Sequence, residues 1–314
     1  MAKIPHRTLA TPSPSLLQVE FREMNSVSVI VPTIGRDSLQ GAVESVLSQA
    51  GCVPEVIVVL DNPDRLDITS RMLERLDHTL IVADRVGAAA ARNLGLEAAR
   101  GDFVGYLDDD DLWLPGKAHK QIQAIRASSD PAHTFSVCAS RFVRRNGKLS
   151  HGASRQYERG RMSFPNYLVE RKRVRYGSVF FNTPSVLGPM EVMRKYTWDT
   201  TLLAHQDWDY FIRLMSDPSL HLQVVNEQLV EVHQGSPGSL SANPDWRRGS
   251  AFLEKHNASI SGRARADFVL LHVMLPAIHA RSLPGLKIAL RQLHPAPPHT
   301  GALARFALGT LTRR

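Results

Sequence analysis

Residues 103–115 read FVGYLDDDDLWLP and join an apolar run to four consecutive aspartates, Asp108, Asp109, Asp110 and Asp111. Such a run followed by a polar cluster is typical of a short buried strand and the loop at its carboxyl end. Neighbouring carboxylates raise one another's pKa unless a cation neutralises them. Because oxygen ligands suit hard divalent ions, the loop predicts a Mg²⁺ or Mn²⁺ site. The alternative interpretation is a solvated acidic loop without a cation.

Three further apolar runs precede this stretch. They are SVSVIV at residues 26–31, EVIVVL at residues 55–60 and a shorter run at residues 80–83. Helix-forming segments separate the runs, most clearly the alanine-rich residues 87–100. Strands that alternate with helices pair in parallel through right-handed crossovers, and such sheets bind ligands beyond the carboxyl ends of their strands. The pattern predicts an α/β fold with Asp61 and residues 108–111 at that edge.

The regular alternation weakens beyond Pro115. Later segments predict an extended stretch at residues 178–182, a helix at residues 206–216, strands within residues 223–233, and helices from residue 247 onward. Residues 295–298 contain three prolines and should interrupt the last helices. We therefore divide the chain into a flexible tail (1–25), a first half (26–115) and a second half (116–246) of one domain, and a basic helical extension (247–314).

The net charge of +8 is distributed unevenly. Residues 141–175 carry eleven Lys or Arg side chains and two acidic ones, and residues 251–314 carry nine and two. This division suits basic surfaces that meet an anionic membrane or acceptor, with a cation held in an acidic pocket elsewhere. Nucleic acid is the competing partner. We expect no nucleic-acid partner, because the basic segments have few aromatic side chains for stacking on bases and contain no known nucleic-acid-binding module.

The remaining composition excludes several classes of protein. The two cysteines, Cys52 and Cys138, lack CxxC or zinc-type spacing, which favours a reducing, cytoplasmic setting. Residues 1–25 lack the apolar core of a signal peptide. The longest apolar stretch, residues 268–280, contains two histidines and is shorter than the roughly 20 residues that a spanning helix needs. We therefore expect no transmembrane segment.

Six motifs occur in an order that resembles family 2 glycosyltransferases. They are VSVIVPTIGR, SVLSQ, EVIVVLD, GAAAARNLG, GDFVGYLDDDDLW and QDWDYFIRL. The resemblance is strong over residues 26–115 and looser up to residue 241. It implies a fold of GT-A type, with a Rossmann-like, mostly parallel sheet flanked by helices, here followed by the helical C-terminal extension. It also implies inverting transfer from a nucleotide-sugar donor, bound in the first half, with a divalent metal as cofactor.

The resemblance assigns unequal roles to the aspartates. In the family these carboxylates contact the ribose and the metal, which maps Asp108 and Asp109 to donor contacts and Asp110, together with Asp108, to metal ligands. Asp111 is expected to organise the loop instead. His233 matches a histidine that approaches the metal or the diphosphate, and its alternative is an ordinary structural histidine.

Other matched positions surround the nucleotide sugar in the family. They are Pro32, Thr33, Asp61, Gly87, Arg92 and Asn93. Asp61 would accept the N–H group of the pyrimidine ring, although many relatives have a second acidic residue and Gly-Ser where this chain has Asn62 and Pro63. A turn-forming aspartate and a helix-surface arginine are the alternatives for Asp61 and Arg92.

An inverting transfer needs a carboxylate that deprotonates the acceptor hydroxyl on the face opposite the leaving group. Asp207 is the candidate, because it matches the second residue of the family's Glu-Asp motif, with Gln206 in place of Glu. Its alternative is a helix cap or dipole partner. Asp209 should instead form an i,i+4 ion pair with Arg213. Trp113 should anchor the aspartate loop by packing beneath it.

The leading hypothesis is an inverting glycosyltransferase of cell-surface polysaccharide or lipopolysaccharide biosynthesis. Its acceptor would be a saccharide or a lipid-linked saccharide, and its basic C-terminal helices would attach it peripherally to the inner face of an anionic membrane. The alternative is a catalytically inactive protein of the same fold that serves as a binding or scaffold component of a polysaccharide assembly complex.

Overall fold

The computed structural model describes residues 25–144, 146–150, 157–174, 180–235, 245–293 and 295–311. Nine strands form one sheet at the centre of the molecule. They are β1 (Ser26–Thr33), β2 (Val53–Leu60), β3 (Thr79–Val82), β4 (Phe103–Tyr106), β5 (Leu112–Trp113), β6 (Thr134–Arg144), β7 (Leu149–Ser150), β8 (Val186–Pro189) and β9 (His221–Gln234). Their order is β3-β2-β1-β4-β8-β6-β9-β5, with β7 beside β6. The predicted tail at residues 1–25 lies, except for Asn25, outside the described residues.

The first four strands form the predicted parallel half of the sheet. β1 pairs in parallel with β2 and with β4, and β2 pairs in parallel with β3. Helices α1 (Leu39–Leu47), α2 (Leu66–Leu73) and α3 (Ala88–Ala98) connect these strands. The predicted α/β fold class is confirmed, and each of these strands ends within two residues of its predicted bounds. The agreement follows from burial of both sheet faces, which makes a parallel strand a continuous apolar run.

The other strands make the second half of the sheet mixed. β8 pairs antiparallel with β4 and β6, whereas β9 pairs in parallel with β6 and antiparallel with β5. The strand predicted within residues 223–233 is confirmed as β9. Residues 180–182 of the stretch predicted as extended are not in a strand, and residues 178–179 lie outside the described ones. A short 3₁₀ turn at Thr183–Ser185 follows, and the strand begins at Val186.

Nine helices complete the described part of the chain. They are α4 (Lys117–Arg126), α5 (Phe164–Val169), α6 (Met190–Lys195), α7 (Gln206–Ser216), α8 (Trp246–Lys255), α9 (Gly262–Phe268), α10 (Leu275–His279), α11 (Leu283–Gln292) and α12 (Thr300–Leu311). A π-helical segment, Val269–Met274, joins α9 to α10. The predicted helix at residues 206–216 is confirmed, and so are helices from residue 247 onward. Across the described ranges, every helix is too short or too polar to cross a bilayer.

Two apolar cores lie on the two faces of the sheet. Val27, Val29 and Val31 of β1 belong to one core, which α1 and α4 cover. Ile30 points to the other core, which includes α7 and the C-terminal helices. Alternation along a strand places successive side chains on opposite faces. The C-terminal extension is therefore packed against the same face of the sheet as helix α7.

Candidate active site

The strand ends bring two acidic loops to one edge of the sheet. The last residues of β1 and β2, Thr33 and Leu60, lie side by side in the parallel register. Asp61 follows β2 directly, and its main-chain N–H donates to the carbonyl oxygen of Thr33 at 2.7 Å. The aspartates at residues 108–111 follow β4, the other neighbour of β1. Parallel α/β sheets bind ligands at this edge.

Asp109 is buried and is bound by the loop that follows β1. Thr33 Oγ1 donates to Asp109 Oδ2 at 2.5 Å, and Arg36 forms an ion pair with Oδ1. Burial raises the pKa of Asp109, while the Arg36 charge and the Thr33 hydroxyl oppose that rise. Both carboxylate oxygens thus have a protein partner. The side chains of Thr33 and Asp109, both predicted donor contacts, are used to hold the aspartate loop against β1.

Asp111 is also buried, and it links the aspartate loop to β9. Its Oδ1 accepts the main-chain N–H of His233 at 2.9 Å. Burial and the charges of Asp108 and Asp110 raise the pKa of Asp111 well above its usual range. The sequence assigned Asp111 to loop organisation, and this contact has that effect. It also brings His233, distant in sequence, to the aspartates.

Asp110 is the aspartate with the fewest protein partners. In the described parts of the chain its carboxylate has no hydrogen bond or ion pair, whereas Asp108 has Arg92, Asp109 has Arg36 and Asp111 has the N–H of His233. Half-buried carboxylates without a counter-charge attract cations. Asp110 is therefore the carboxylate most open to a metal ion.

The donor set fits a divalent ion that is shared with a substrate. His233 Nδ1 is buried without a hydrogen-bond partner, and its Nε2 lies 3.1 Å from Glu231 Oε1. Among the described residues no group of three or more His, Cys, Asp or Glu side chains is placed to hold a metal by itself. Mg²⁺ is commonly bound through one or two carboxylates, with substrate phosphates completing its shell. Asp110 would fit that arrangement, and the contact between the His233 main chain and Asp111 brings His233 to the same loop.

Trp113 packs beneath the aspartate loop. Its ring leaves no room at Gly105 of β4, where an added Cβ would lie 2.7 Å from the indole. Lys117 Nζ lies 3.7 Å from the ring centroid on the buried side. These contacts agree with the anchoring role that the sequence suggested for Trp113.

The carboxylate of Asp61 holds the loop that leads into α3. Its two oxygens accept the main-chain N–H groups of Val86 and Gly87 at 2.6 and 2.7 Å. Gly87 needs its freedom here, because its φ of +86° is a conformation that other residues rarely adopt. Pro32 lies buried within β1, beside Val59. Asp61 and Gly87 thus shape this loop, and their contact with the nucleotide stays a prediction.

Arg92 lies where the two halves of the domain meet. Its guanidinium is buried, donates through Nη2 to Asp108 Oδ1 at 2.6 Å and stacks 4.5 Å from the centroid of Trp198. Through Nη1 it donates to Gln206 Oε1 at 3.2 Å. Arg92 is therefore not the helix-surface arginine of the alternative interpretation. It connects the aspartate loop to the first residue of α7.

The side chain of Asn93 binds the main chain of a distant segment. Its Nδ2 donates to the carbonyl oxygen of Trp198 at 2.9 Å, and its Oδ1 accepts the Trp198 N–H at 2.7 Å. Both ends of the amide are thus used on a segment 105 residues away in sequence. The amide thereby fixes Trp198, on which Arg92 stacks, and the donor contact of Asn93 stays a prediction.

Asp207 lies in the first turn of α7 beside Arg92 and Asp108. Its Oδ1 accepts the N–H of Trp208 at 2.9 Å. Burial raises the pKa of Asp207 to about 6, Asp108 adds to the rise, and the Arg92 charge opposes it. A carboxylate with this pKa is ionised at neutral pH and is a stronger base than an exposed aspartate. The structure thus brings the predicted base to the donor aspartates.

The residue before this turn is strained and enclosed by aromatic rings. His205 has a φ of +57°, in the left-handed region, and its ring stacks on Trp208 at 4.9 Å. Phe252 and His272 of the C-terminal extension contact the same ring at 5.2 and 4.8 Å. Burial lowers the pKa of His205 to about 4, so its ring is neutral. The extension therefore shapes the start of α7.

Asp209 forms the predicted ion pair and two more. Arg213 Nε lies 2.9 Å from its Oδ2, and Lys255 Nζ and His256 Nε2 lie 2.5 and 3.0 Å from its Oδ1. The side chain is completely buried, and burial would raise its pKa. Hydrogen bonds from His256, Lys255 and Arg213 outweigh burial and hold the pKa of Asp209 well below its usual range. Helix α8 is thereby joined to α7.

Sequence reasoning missed three of these residues. Arg36 belongs to the VPTIGR motif, and its position three residues before a helical pattern gives no indication of a partner at Asp109. Gln206 was noted only as a departure from the family motif. His205 was not considered, because nothing in the sequence indicates a left-handed histidine. Of the three, only Arg36 has a usable signal in the sequence, because it is a basic residue directly after the turn at the end of a strand.

Comparison with known proteins adds a family. The sequence model described as Glycosyl transferase family 2 matches residues 28–196, more than half of the chain. An uncharacterized glycosyltransferase of Methanocaldococcus jannaschii is 25% identical over 198 residues, which are 61% of this chain and 65% of that protein. The GalNAc(5)-diNAcBac-PP-undecaprenol beta-1,3-glucosyltransferase of Campylobacter jejuni is 33% identical over 133 residues, which are 40% and 41% of the two chains. The chain thus covers less than two thirds of the length of either relative.

A solved structure resembles the fold. The crystal structure of residues 1–349 of S. aureus TarS in complex with UDP-GlcNAc superposes with a TM-score of 0.57 and 15% sequence identity. The match covers 90% of this chain and 81% of the other. At that identity the likeness concerns the fold alone, and it confirms the predicted GT-A type of architecture.

Proposed function

The chain belongs to glycosyl transferase family 2, and we propose that it is an inverting, metal-dependent glycosyltransferase that uses a nucleoside-diphosphate sugar. One observation carries the proposal. A single buried guanidinium, Arg92, lies between Asp108 on the aspartate loop and the start of α7, where Asp207 stands with a raised pKa. A donor carboxylate and a base are thereby held together, as a single displacement at the anomeric carbon requires.

The donor would bind beyond the ends of β1, β2 and β4. Asp61 and the loop after β1 would border the nucleoside, and Asp108 and Asp110 would face the ribose and the diphosphate. The ion held by Asp110 and His233 would stabilise the charge that grows on the departing nucleoside diphosphate. Asp109 and Asp111, bound to Arg36 and to the main chain of His233, would keep the loop rigid.

Asp207 would act as the general base. Its carboxylate takes the proton of the acceptor hydroxyl while the hydroxyl oxygen attacks the anomeric carbon. The bond from that carbon to the phosphate oxygen breaks on the opposite face, and the configuration is inverted. A pKa of about 6 leaves Asp207 ionised at neutral pH and suits proton transfer from a hydroxyl.

The acceptor is proposed to be a lipid-linked saccharide of cell-surface polysaccharide assembly. One relative bears a name that states transfer to an undecaprenol-diphosphate saccharide. In this chain, α11 exposes Leu283 and Leu290 on the same face as Lys287 and Arg291. The sequence contains no Asp or Glu after Asp267. Such a face suits the inner surface of an anionic membrane, with the enzyme attached peripherally.

A melting panel tests the donor and the metal together. We expect a UDP-, dTDP- or GDP-sugar to raise the melting temperature in the presence of Mn²⁺ and EDTA to remove the effect, because binding to the folded state stabilises it. Asp110→Asn should lose the Mn²⁺-dependent part, and Asp77→Asn, an exposed aspartate, should keep it. If a nucleotide sugar raises the melting temperature but no acceptor leads to release of nucleoside diphosphate, the alternative of a catalytically inactive binding protein is favoured.

Flotation with phosphatidylglycerol vesicles at low salt tests the membrane face. Leu290→Glu should reduce binding, and Leu149→Glu, at another exposed leucine, on β7, should not. Equal binding of both variants, or no binding of the unmodified protein, would exclude α11 as the attached face.

A further inference from the structure

Gln206 links the two halves of the candidate site through both ends of its side chain. Its Oε1 accepts from Arg92 Nη1 at 3.2 Å, and its Nε2 donates to the carbonyl oxygen of Leu202 at 2.7 Å. The amide orientation is fixed by the partners, because arginine only donates and a carbonyl oxygen only accepts. A carboxylate here would place one oxygen against the Leu202 carbonyl without a proton between them.

The absence of charge at Gln206 matters for its neighbours. Arg92 is buried and has one positive charge, which it shares between Asp108, at 2.6 Å, and the start of α7. Asp207 adjoins Gln206 in the sequence and responds to the same charge, since Arg92 lowers its pKa and Asp108 raises it. An acidic side chain at position 206 would take up the Arg92 charge and repel the Asp207 carboxylate.

We infer that Gln206 is a positioning residue for the transfer: its neutral amide ties the start of α7 to Arg92, so that one guanidinium serves the donor carboxylate Asp108 and the acceptor base Asp207 together. The inference rests on the proposed function, in which Asp207 takes the acceptor proton. It adds a residue to that reaction that touches neither substrate directly and acts through Arg92 and the helix start.

Two substitutions separate the charge of Gln206 from its hydrogen bonds. Gln206→Glu should move the acidic limb of the pH profile of kcat/KM, expected near pH 6, upward by about one pH unit, because an added negative charge disfavours ionisation of Asp207. Gln206→Met has a similar shape and no charge. It should leave the limb in place and lower kcat about tenfold, with the KM for the donor unchanged, because only the position of Asp207 is relaxed.

Gln123→Glu is the matched control, since it makes the same change on the exposed face of α4 and should alter neither quantity. The reaction followed is nucleoside-diphosphate release from the UDP-, dTDP- or GDP-sugar that the melting panel selects. A carboxyl ¹³C titration of Asp207, with its resonance assigned by Asp207→Asn, provides a second reading in the intact chain that does not depend on turnover.

The outcomes distinguish this inference from the proposed function. If Asp207→Asn keeps full activity, the proposed base is wrong. Suppose instead that Asp207→Asn is inactive, but Gln206→Glu and Gln123→Glu have the same acidic limb in the pH profile of kcat/KM and the same midpoint in the ¹³C titration of Asp207. The proposed base then stands, and only the role of Gln206 is overturned. The inference about Gln206 is supported if the midpoint of the Asp207 titration shifts in Gln206→Glu alone and the melting temperature with bound donor stays unchanged.

Discussion

The donor aspartates and the candidate base are both acidic, yet they are held in different ways. The aspartates at residues 108–111 lie on one loop, and Asp109 takes its partners, Thr33 and Arg36, from the loop after β1. Asp207 lies at a helix start that is shaped by the packing of His205 against Trp208, Phe252 and His272. The donor side is thus built from adjoining strand ends, whereas the base depends on packing between distant parts of the chain.

The largest expected effects separate the two regions by function. Asp110→Asn should abolish metal-dependent donor binding and with it turnover. Asp207→Asn should lower kcat about a thousandfold, which is within the usual range for loss of a general base, and leave donor affinity unchanged. Titration calorimetry with the nucleotide sugar and Mn²⁺, together with the rate of nucleoside-diphosphate release, checks both. Loss of donor binding in Asp207→Asn would contradict the division.

A smaller effect is expected where the C-terminal extension supports α7. Asp209→Asn removes the carboxylate shared by Arg213, His256 and Lys255, of which Lys255 keeps a second partner in Asp199, so the free energy of unfolding should fall by about 3 kcal/mol. Urea unfolding monitors the change, with Asp77→Asn as the exposed control. If Asp209→Asn and Asp77→Asn lowered the free energy of unfolding equally, the buried ion group would be dispensable for stability.

The same group predicts a pH dependence of stability. Because the folded pKa of Asp209 is depressed, its contribution is fully present above the ordinary carboxyl pKa and is lost as pH falls below it. The difference in unfolding free energy between the unmodified chain and Asp209→Asn should therefore be largest near neutral pH and shrink toward strong acid.

The smallest effect should come from Asn93→Ala, which removes two hydrogen bonds to the main chain of Trp198. The unfolding free energy should fall by about 2 kcal/mol, because each lost bond contributes about 1 kcal/mol. Donor affinity, measured by the same calorimetry, should stay nearly unchanged. A clear decrease in donor affinity would instead support the prediction that Asn93 contacts the donor.

The sequence predicts the donor side well for a physical reason. Buried parallel strands leave continuous apolar runs, and their ends mark the loops that meet at one edge, so Asp61 and residues 108–111 could be placed together. The bond between Asn93 and Trp198 joins residues 105 positions apart and leaves no local pattern. The short strand β8 also leaves no local pattern, because its four residues include Gly and Pro and do not form a recognisable apolar run.

The ion group around Asp209 has a consequence for the time course of synthesis. The carboxylate is in α7, but two of its three partners, Lys255 and His256, are in and just after α8, so His256 is made 47 residues later. Once the chain has been made through β9, about three quarters of its length, the sheet edge with its aspartates can be complete. The helix that presents Asp207 still lacks two partners of Asp209, Lys255 and His256, until the extension has been made. A nascent chain should therefore recognise a nucleotide sugar before it can transfer one.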